Sequence, residues 1–227
     1  MKTIGLIGGV SWVSTAEYYK RLNLLANKKY DGQTSAKIIL SSLNFEDILP
    51  LQIAGNVEKE KTLLVEHAQR LEKAGADIIL ICSNTTNRTA HEVSCEINIP
   101  LLDIVDTVVA EVDTLKLRKV GLLGTKHVMY GSFYVEKLRE KNIEPIVPKE
   151  QAGELIDNII YQELVKNQFH STSVNAIESI IENLTRQGAE AAILGCTELP
   201  LLILKKHNGP VLIDSIQTHV ASVYDLI

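Results

Sequence analysis

Two stretches of this chain occur twice. The run Lys2-Thr3-Ile4-Gly5-Leu6-Ile7-Gly8-Gly9 resembles Arg118-Lys119-Val120-Gly121-Leu122-Leu123-Gly124-Thr125. The run from Gly75 to Thr85 resembles the run from Gly188 to Glu198. The first pair is offset by 116 residues and the second by 113. Offsets so close are hard to produce by chance, and two equivalent halves of about half the chain each explain both.

Each half reads as alternating strands and helices. Ile4 to Ile7, Ile38 to Leu40, Ile78 to Ile81, Val120 to Leu123, Ala192 to Leu194 and Val211 to Ile213 are short, apolar and bounded by Gly, Asn or Ser. Such runs fit buried parallel strands. Between them, Leu64, Ala68 and Leu71, then Val174, Ile177, Ile181 and Leu184, step by three and four, as helix faces do. Leu155, Ile159 and Ile160 continue the same pattern, and Ser14-Thr15-Ala16-Glu17 reads as a capping box for the first helix. The expected fold is α/β: two pseudo-symmetric, Rossmann-like domains with mainly parallel sheets and an interdomain cleft. The first domain is expected over 1–103, completed by 206–227, and the second over 104–205.

Composition removes other options. A length of 227 residues suits one large domain or two small ones. The 23 Lys and Arg against 28 Asp and Glu leave a net charge of −5, which argues against nucleic-acid partners. No apolar run reaches the length of a membrane span. Three cysteines suit neither a disulfide framework nor a zinc site, and His67, His91, His127 and His219 have no metal-binding spacing. These histidines read as surface or capping residues, and Cys95 as structural. No metal is expected. The start at Met1 leads directly into strand-like sequence, so a cytoplasmic protein with reduced thiols is expected.

The repeat also selects residues. Eight positions beyond Gly188 stands Cys196, and eight beyond Gly75 stands Ser83, not Cys82. Both follow a strand, at the carboxyl end where open α/β sheets place ligands. Thr197 and Pro200 suit a helix start, and a helix N-terminus favours a thiolate; Cys196 is open to that reading or to an inert buried one. Ser83-Asn84-Thr85 fits either a carboxylate cradle or a helix cap. Gly5-Leu6-Ile7-Gly8-Gly9 lacks the spacing of a nucleotide loop and reads as a tight strand-to-helix turn.

At these residues the sequence resembles the cofactor-independent aspartate/glutamate racemase family. Ile4-Gly5-Leu6-Ile7-Gly8-Gly9-Val10-Ser11-Trp12 with Ser14-Thr15 and Tyr18-Tyr19 is similar to its opening motif. Asn84-Thr85, Gly124-Thr125, Ile160-Tyr161 with Glu163-Leu164, and Leu194-Gly195-Cys196-Thr197-Glu198-Leu199-Pro200-Leu201-Leu202 follow in the family's order. The resemblance implies two pseudo-symmetric domains, a homodimer, no cofactor, and one thiol per domain flanking the substrate Cα. It assigns Cys196 and Ser83 to catalysis. Asn84, Thr85, Thr125 and Thr197 would hold the substrate carboxylate, with Gln52 and Lys166 around the substrate; Lys166 reads equally well as a surface lysine. The small-molecule substrate would be aspartate or glutamate.

The pattern departs in one place that matters. Ser83 stands where the family has its first Cys, and Cys82 is one position early. A serine hydroxyl is a weak base without a helper, so the two faces are expected to be unequal. Val128 replaces a further hydroxyl, and Val10 replaces a Met. Two other functions fit a lone thiol: a decarboxylase or isomerase of a small dicarboxylic acid, or an inactive protein that binds an acidic metabolite.

Overall fold

The computed structural model describes residues 1–203 and 209–226. Its strands are β1 (Ile4–Gly8), β2 (Ile38–Ser42), β3 (Ile78–Ile81), β4 (Leu101–Leu102), β5 (Lys119–Leu123), β6 (Glu144–Ile146), β7 (Ala191–Leu194) and β8 (Val211–Asp214). The helices are α1 (Trp12–Tyr30), α2 (Phe45–Ile53), α3 (Val57–Lys73), α4 (Ala90–Ser94), α5 (Ile104–Thr114), α6 (Lys126–Tyr130), α7 (Ser132–Glu140), α8 (Glu150–Gln162), α9 (Ser171–Arg186), α10 (Leu199–Ile203) and α11 (Ser215–Ala221). Tight 3-10 turns lie at Thr85–Thr89 and Leu164–Lys166.

The strands form two parallel sheets with the same order, β2-β1-β3-β4 and β6-β5-β7-β8. Ile4 pairs with Ile78 in the first sheet, and Val120 with Ala191 in the second. These four residues are partners in the internal repeat: Ile4 with Val120, and Ile78 with Ala191. The two offsets therefore carry one rung of the first sheet onto one rung of the second. Every residue of β3 and β7 is buried, as expected of strands covered on both faces.

Two compact units result: Met1–Ile104 with the chain from His219 onward, and Val105–Thr218. The expected division between 205 and 206 lies outside the described residues. The expectation that 206–227 completes the first domain needs correction, because β8 pairs with β7 in the second sheet. The chain returns to the first unit only at His219.

In the first unit, Ile7, Ile48, Leu64, Ala68, Leu71, Ile79 and Ile81 pack together. In the second, Ile156, Ile159, Ile160, Ile177, Ile181 and Leu194 do so, together with Cys196. Burial of such side chains contributes roughly 25 cal/mol per Å² of apolar surface, and the helical periodicities mark the residues involved. Leu155 is an exception: it is 44% exposed, and Ile156 takes the inward position. The capping box is a second. Helix α1 begins at Trp12, with Ser11 as its N-cap residue. Ser14 and Thr15 lie inside the first turn and serve the loop instead. Ser14 Oγ donates to the Cys82 carbonyl at 3.0 Å, and the Gly9 N–H donates to Thr15 Oγ1 at 2.9 Å.

His67 and His219, expected at the surface or at caps, are buried. Cys95 is exposed rather than part of a core. Among the described residues no group of His, Cys, Asp and Glu could hold a metal ion. No described helix is long and apolar enough to cross a membrane.

Candidate active site

Ser83 stands two residues past the end of β3, and Cys196 two past the end of β7. The alternation of strand side chains separates Ser83 from Cys82. Cys82 still belongs to the ladder, since its N–H donates to the Ile7 carbonyl at 2.9 Å. It is sealed in the core, and burial pushes its thiol far above the ordinary range. Ser83 has left the ladder; its N–H turns back to the Ile81 carbonyl at 2.9 Å.

Asn87 holds that turn. Its Nδ2 donates to the Ser83 carbonyl at 2.5 Å and to the Ile81 carbonyl at 3.2 Å, while its Oδ1 accepts from the Ile104 N–H at 3.3 Å. Ser83, Asn84 and Thr85 are all buried. The same unit buries an ion pair between Arg88, in the turn after Thr85, and Glu60 on α3. Burial pushes the Glu60 carboxyl up, and the Arg88 guanidinium and the Gln52 amide pull it back. Gln52, on α2, is buried, and its amide faces the Glu60 carboxylate.

The second unit repeats the strand-end arrangement with different groups. Gly124 and Gly195 follow paired strands, and a Cβ on Gly124 would lie 2.8 Å from the Gly195 carbonyl oxygen. That close approach brings the chain after β5 beside the chain after β7. Val128 Cγ1 covers both glycines, 2.9 and 2.8 Å from where their Cβ atoms would be. Thr125 is the N-cap residue of α6, and its Oγ1 accepts from the Val128 N–H at 3.4 Å. Cys196 Sγ donates to Glu198 Oε2 at 3.1 Å, and Thr197 Oγ1 donates to the same oxygen at 2.8 Å. All three residues are buried.

The helix-start reading of Cys196 meets a different local structure. Helix α10 begins only at Leu199, so Thr197 does not cap it. Burial first, and then the Glu198 carboxylate, raise the Cys196 thiol well above its ordinary value. The backbone N–H groups of Glu198 and Leu199 favour the thiolate but do not outweigh them.

Of the expected residues, the first unit brings Ser83, Asn84 and Thr85 together on one turn. The second unit places Thr125, Cys196 and Thr197 at adjoining strand ends. Lys166 is exposed, and its Nζ donates to Gln162 Oε1 at 3.2 Å. No described hydrogen bond or ion pair joins it to Cys196. Asn87 and the Glu60–Arg88 pair were missed from sequence, and Glu198 was named in the motif without a role. For Glu198 a signal existed, its position two residues from Cys196.

Two α/β units with one strand order, each ending its paired central strands in a polar turn, define a class of duplicated α/β enzymes. The chain belongs to the Asp/Glu/Hydantoin racemase family, whose model matches residues 7–223. It is 36% identical to a candidate Asp/Glu racemase from Yersinia pestis, with a TM-score of 0.89 over 100% of this chain and 99% of that one. It is 35% identical to an aspartate racemase homologue from Pyrococcus horikoshii OT3, with a TM-score of 0.85 and the same coverage. It is also 23% identical over 158 residues to the broad specificity amino-acid racemase RacX of Bacillus subtilis (strain 168), covering 70% of this chain and 68% of the relative. The protein is therefore an isomerase of the Asp/Glu racemase class. These matches favour racemisation over the decarboxylase and binding-protein alternatives.

Proposed function

We propose that this enzyme racemises aspartate, glutamate or both by removing and returning the Cα proton, with Cys196 as the main acid and base. Ser83 works at the opposite face of the carbon. The observation that carries the reading is the shared position of the two residues, each two past the end of the equivalent strand. The Cα–H of an amino acid is a very weak acid. Its removal becomes feasible when fixed dipoles stabilise the charge that develops on the carboxylate. Asn84, Thr85, Thr125 and Thr197 are the polar groups for that task, and all four are buried. Gln52, beside the Glu60 carboxylate on the same unit, is the further residue the reading places around the substrate. Lys166, exposed in this structure, has the length and charge to pair with the substrate's side-chain carboxylate.

The reaction is unequal on its two faces. Cys196 deprotonates one enantiomer, and Ser83 returns a proton from the other side more readily than it removes one. Equilibrium still holds equal amounts of the enantiomers, so only rates differ. The test is exchange of the Cα hydrogen in deuterated water with L- and D-aspartate and L- and D-glutamate. Exchange from one enantiomer of an acidic amino acid, faster than from its mirror image and lost in Cys196→Ala, is expected. Exchange from none of the four substrates overturns the reading.

A further inference from the structure

The carbonyl that closes each central strand takes a side-chain donor, but the two units supply it differently. In the second unit the donor is the hydroxyl of Ser215, which opens α11 and reaches the Leu194 carbonyl at 2.7 Å. The partner of Leu194 at the repeat offset of 113 is Ile81. In the first unit the residue that opens α5 is Ile104, which has no hydroxyl. Asn87 bridges the gap instead. Its Nδ2 donates to the Ile81 carbonyl at 3.2 Å, and its Oδ1 accepts from the Ile104 N–H at 3.3 Å.

The bridge also grips the Ser83 carbonyl. Asn87 Nδ2 donates to it at 2.5 Å, and the Thr86 hydroxyl reaches it at 3.5 Å. In the second unit the Cys196 carbonyl accepts from a backbone N–H, that of Leu199, at 3.1 Å. At the offset of 113 Asn87 corresponds to Pro200, whose side chain has no donor. The partners fix which way the Asn87 amide is turned, since carbonyls can only accept and an N–H can only donate. Asn87 is 3% exposed, so these bonds are made in a buried, low-dielectric setting.

We propose that Asn87 is a positioning residue that sets how readily Ser83 returns a hydrogen to the substrate Cα. The proposal rests on the racemase reading. Once the Cα–H electron pair is left on the substrate, the carbanion has two outcomes. Cys196 returns a hydrogen to the face it came from, or the carbanion takes the Ser83 hydroxyl hydrogen on the other face. In the second outcome the O–H electron pair stays on the serine oxygen, which takes a proton from water. A serine hydroxyl is a much weaker acid than a thiol, so this outcome depends on reach and alignment. Asn87 ties Ser83 to the end of β3 and to the start of α5 at once. The next residue, Arg88, pairs with Glu60 on α3. The Ser83 turn is thereby held to β3, α5 and α3.

The test is the partition of that carbanion in deuterated water, with the full-length protein. The starting substrate is the enantiomer that Cys196 deprotonates. Deuterium incorporated with retention and with inversion is followed by NMR and chiral chromatography. Both products come from one bound carbanion, so their ratio is independent of substrate affinity and of the fraction of protein that is folded. Asn87→Asp keeps an oxygen toward Ile104 and removes the donor; Asn87→Ser, smaller and neutral, serves where the first variant does not fold. Each should raise retention over inversion at least about fivefold. Ser83→Ala should raise the ratio at least as far, and adding either Asn87 substitution to it should change the ratio no further. A ratio unmoved by the Asn87 substitutions overturns the proposal and leaves a structural residue. A further rise on top of Ser83→Ala overturns it too, because Asn87 then acts through another group. Unchanged inversion in Ser83→Ala removes Ser83 as the donor, and this proposal with it, while leaving Cys196 as acid and base. A parent inert toward both enantiomers of aspartate and glutamate overturns the racemase reading and this proposal together.

Discussion

Gly9 shows how a single position can decide whether the strand-end turn exists. Its φ is +85°, and an added Cβ would lie 1.9 Å from the Leu43 carbonyl oxygen. Neither demand can be met by an L side chain without moving the chain after β2. Gly9→Ala is expected to cost about 3 kcal/mol, from a strained backbone together with overpacking. Urea unfolding monitored by circular dichroism measures this, and a loss below 0.5 kcal/mol would mean that the loop relaxes freely. The tight turn was legible in the sequence, because paired glycines after a strand allow close approach. Ser83 was legible as well, since counting within the repeat separated it from Cys82. The upward shift of the Cys196 thiol was not. It depends on burial and on where the Glu198 carboxylate turns, and spacing alone carries neither.

At the scale of elements, the strands that escaped sequence reading are β4 and β6, each at one edge of its sheet. β4 has two residues and β6 three, with Pro145 inside the latter, so neither has the apolar run that marks β3 or β7. Histidine 219 was misread for a related reason. Helix α11 is short, and only tertiary structure brings its His219 against two other elements. Tyr18 Oη lies 2.7 Å from Nδ1, and Nε2 lies 2.9 Å from the Leu102 carbonyl. A carbonyl can only accept, so Nε2 carries a hydrogen, and in the neutral ring Nδ1 accepts from the Tyr18 hydroxyl. Burial accordingly lowers its pKa to about 4. In the unfolded chain His219 titrates near 6.5, so between these values the unfolded state binds more protons. Stability from this group is therefore complete above pH 6.5 and is lost as the pH falls toward 4. The expected loss is about 3 kcal/mol. Urea midpoints measured from pH 7 to pH 4 should show it, and His219→Gln should flatten the slope by up to one proton. Equal slopes in the two proteins would exclude His219 as the source.

The whole molecule is a duplication whose halves have kept their backbone and exchanged their chemistry. Strand order and rung register repeat, and this was legible because parallel strands are written as continuous apolar runs at fixed distances from glycines. The residues two past the central strands differ: Ser83 in the first unit stands where Cys196 stands in the second. Around them the partners differ too, with Asn87 holding the Ser83 turn and Glu198 meeting the Cys196 thiol. If the position two residues past the strand governs which face of the substrate is deprotonated, moving the thiol should move the preference. The double variant Ser83→Cys with Cys196→Ser carries its thiol in the first unit and its hydroxyl in the second. Its preferred enantiomer for Cα exchange should be opposite to that of the parent, at a rate reduced roughly 10- to 100-fold because each turn is shaped around the group it has lost. Exchange measured with both enantiomers of aspartate and glutamate decides it. An unchanged preference would mean that handedness is set by substrate orientation, and that the equivalence of the two strand ends ends at the backbone.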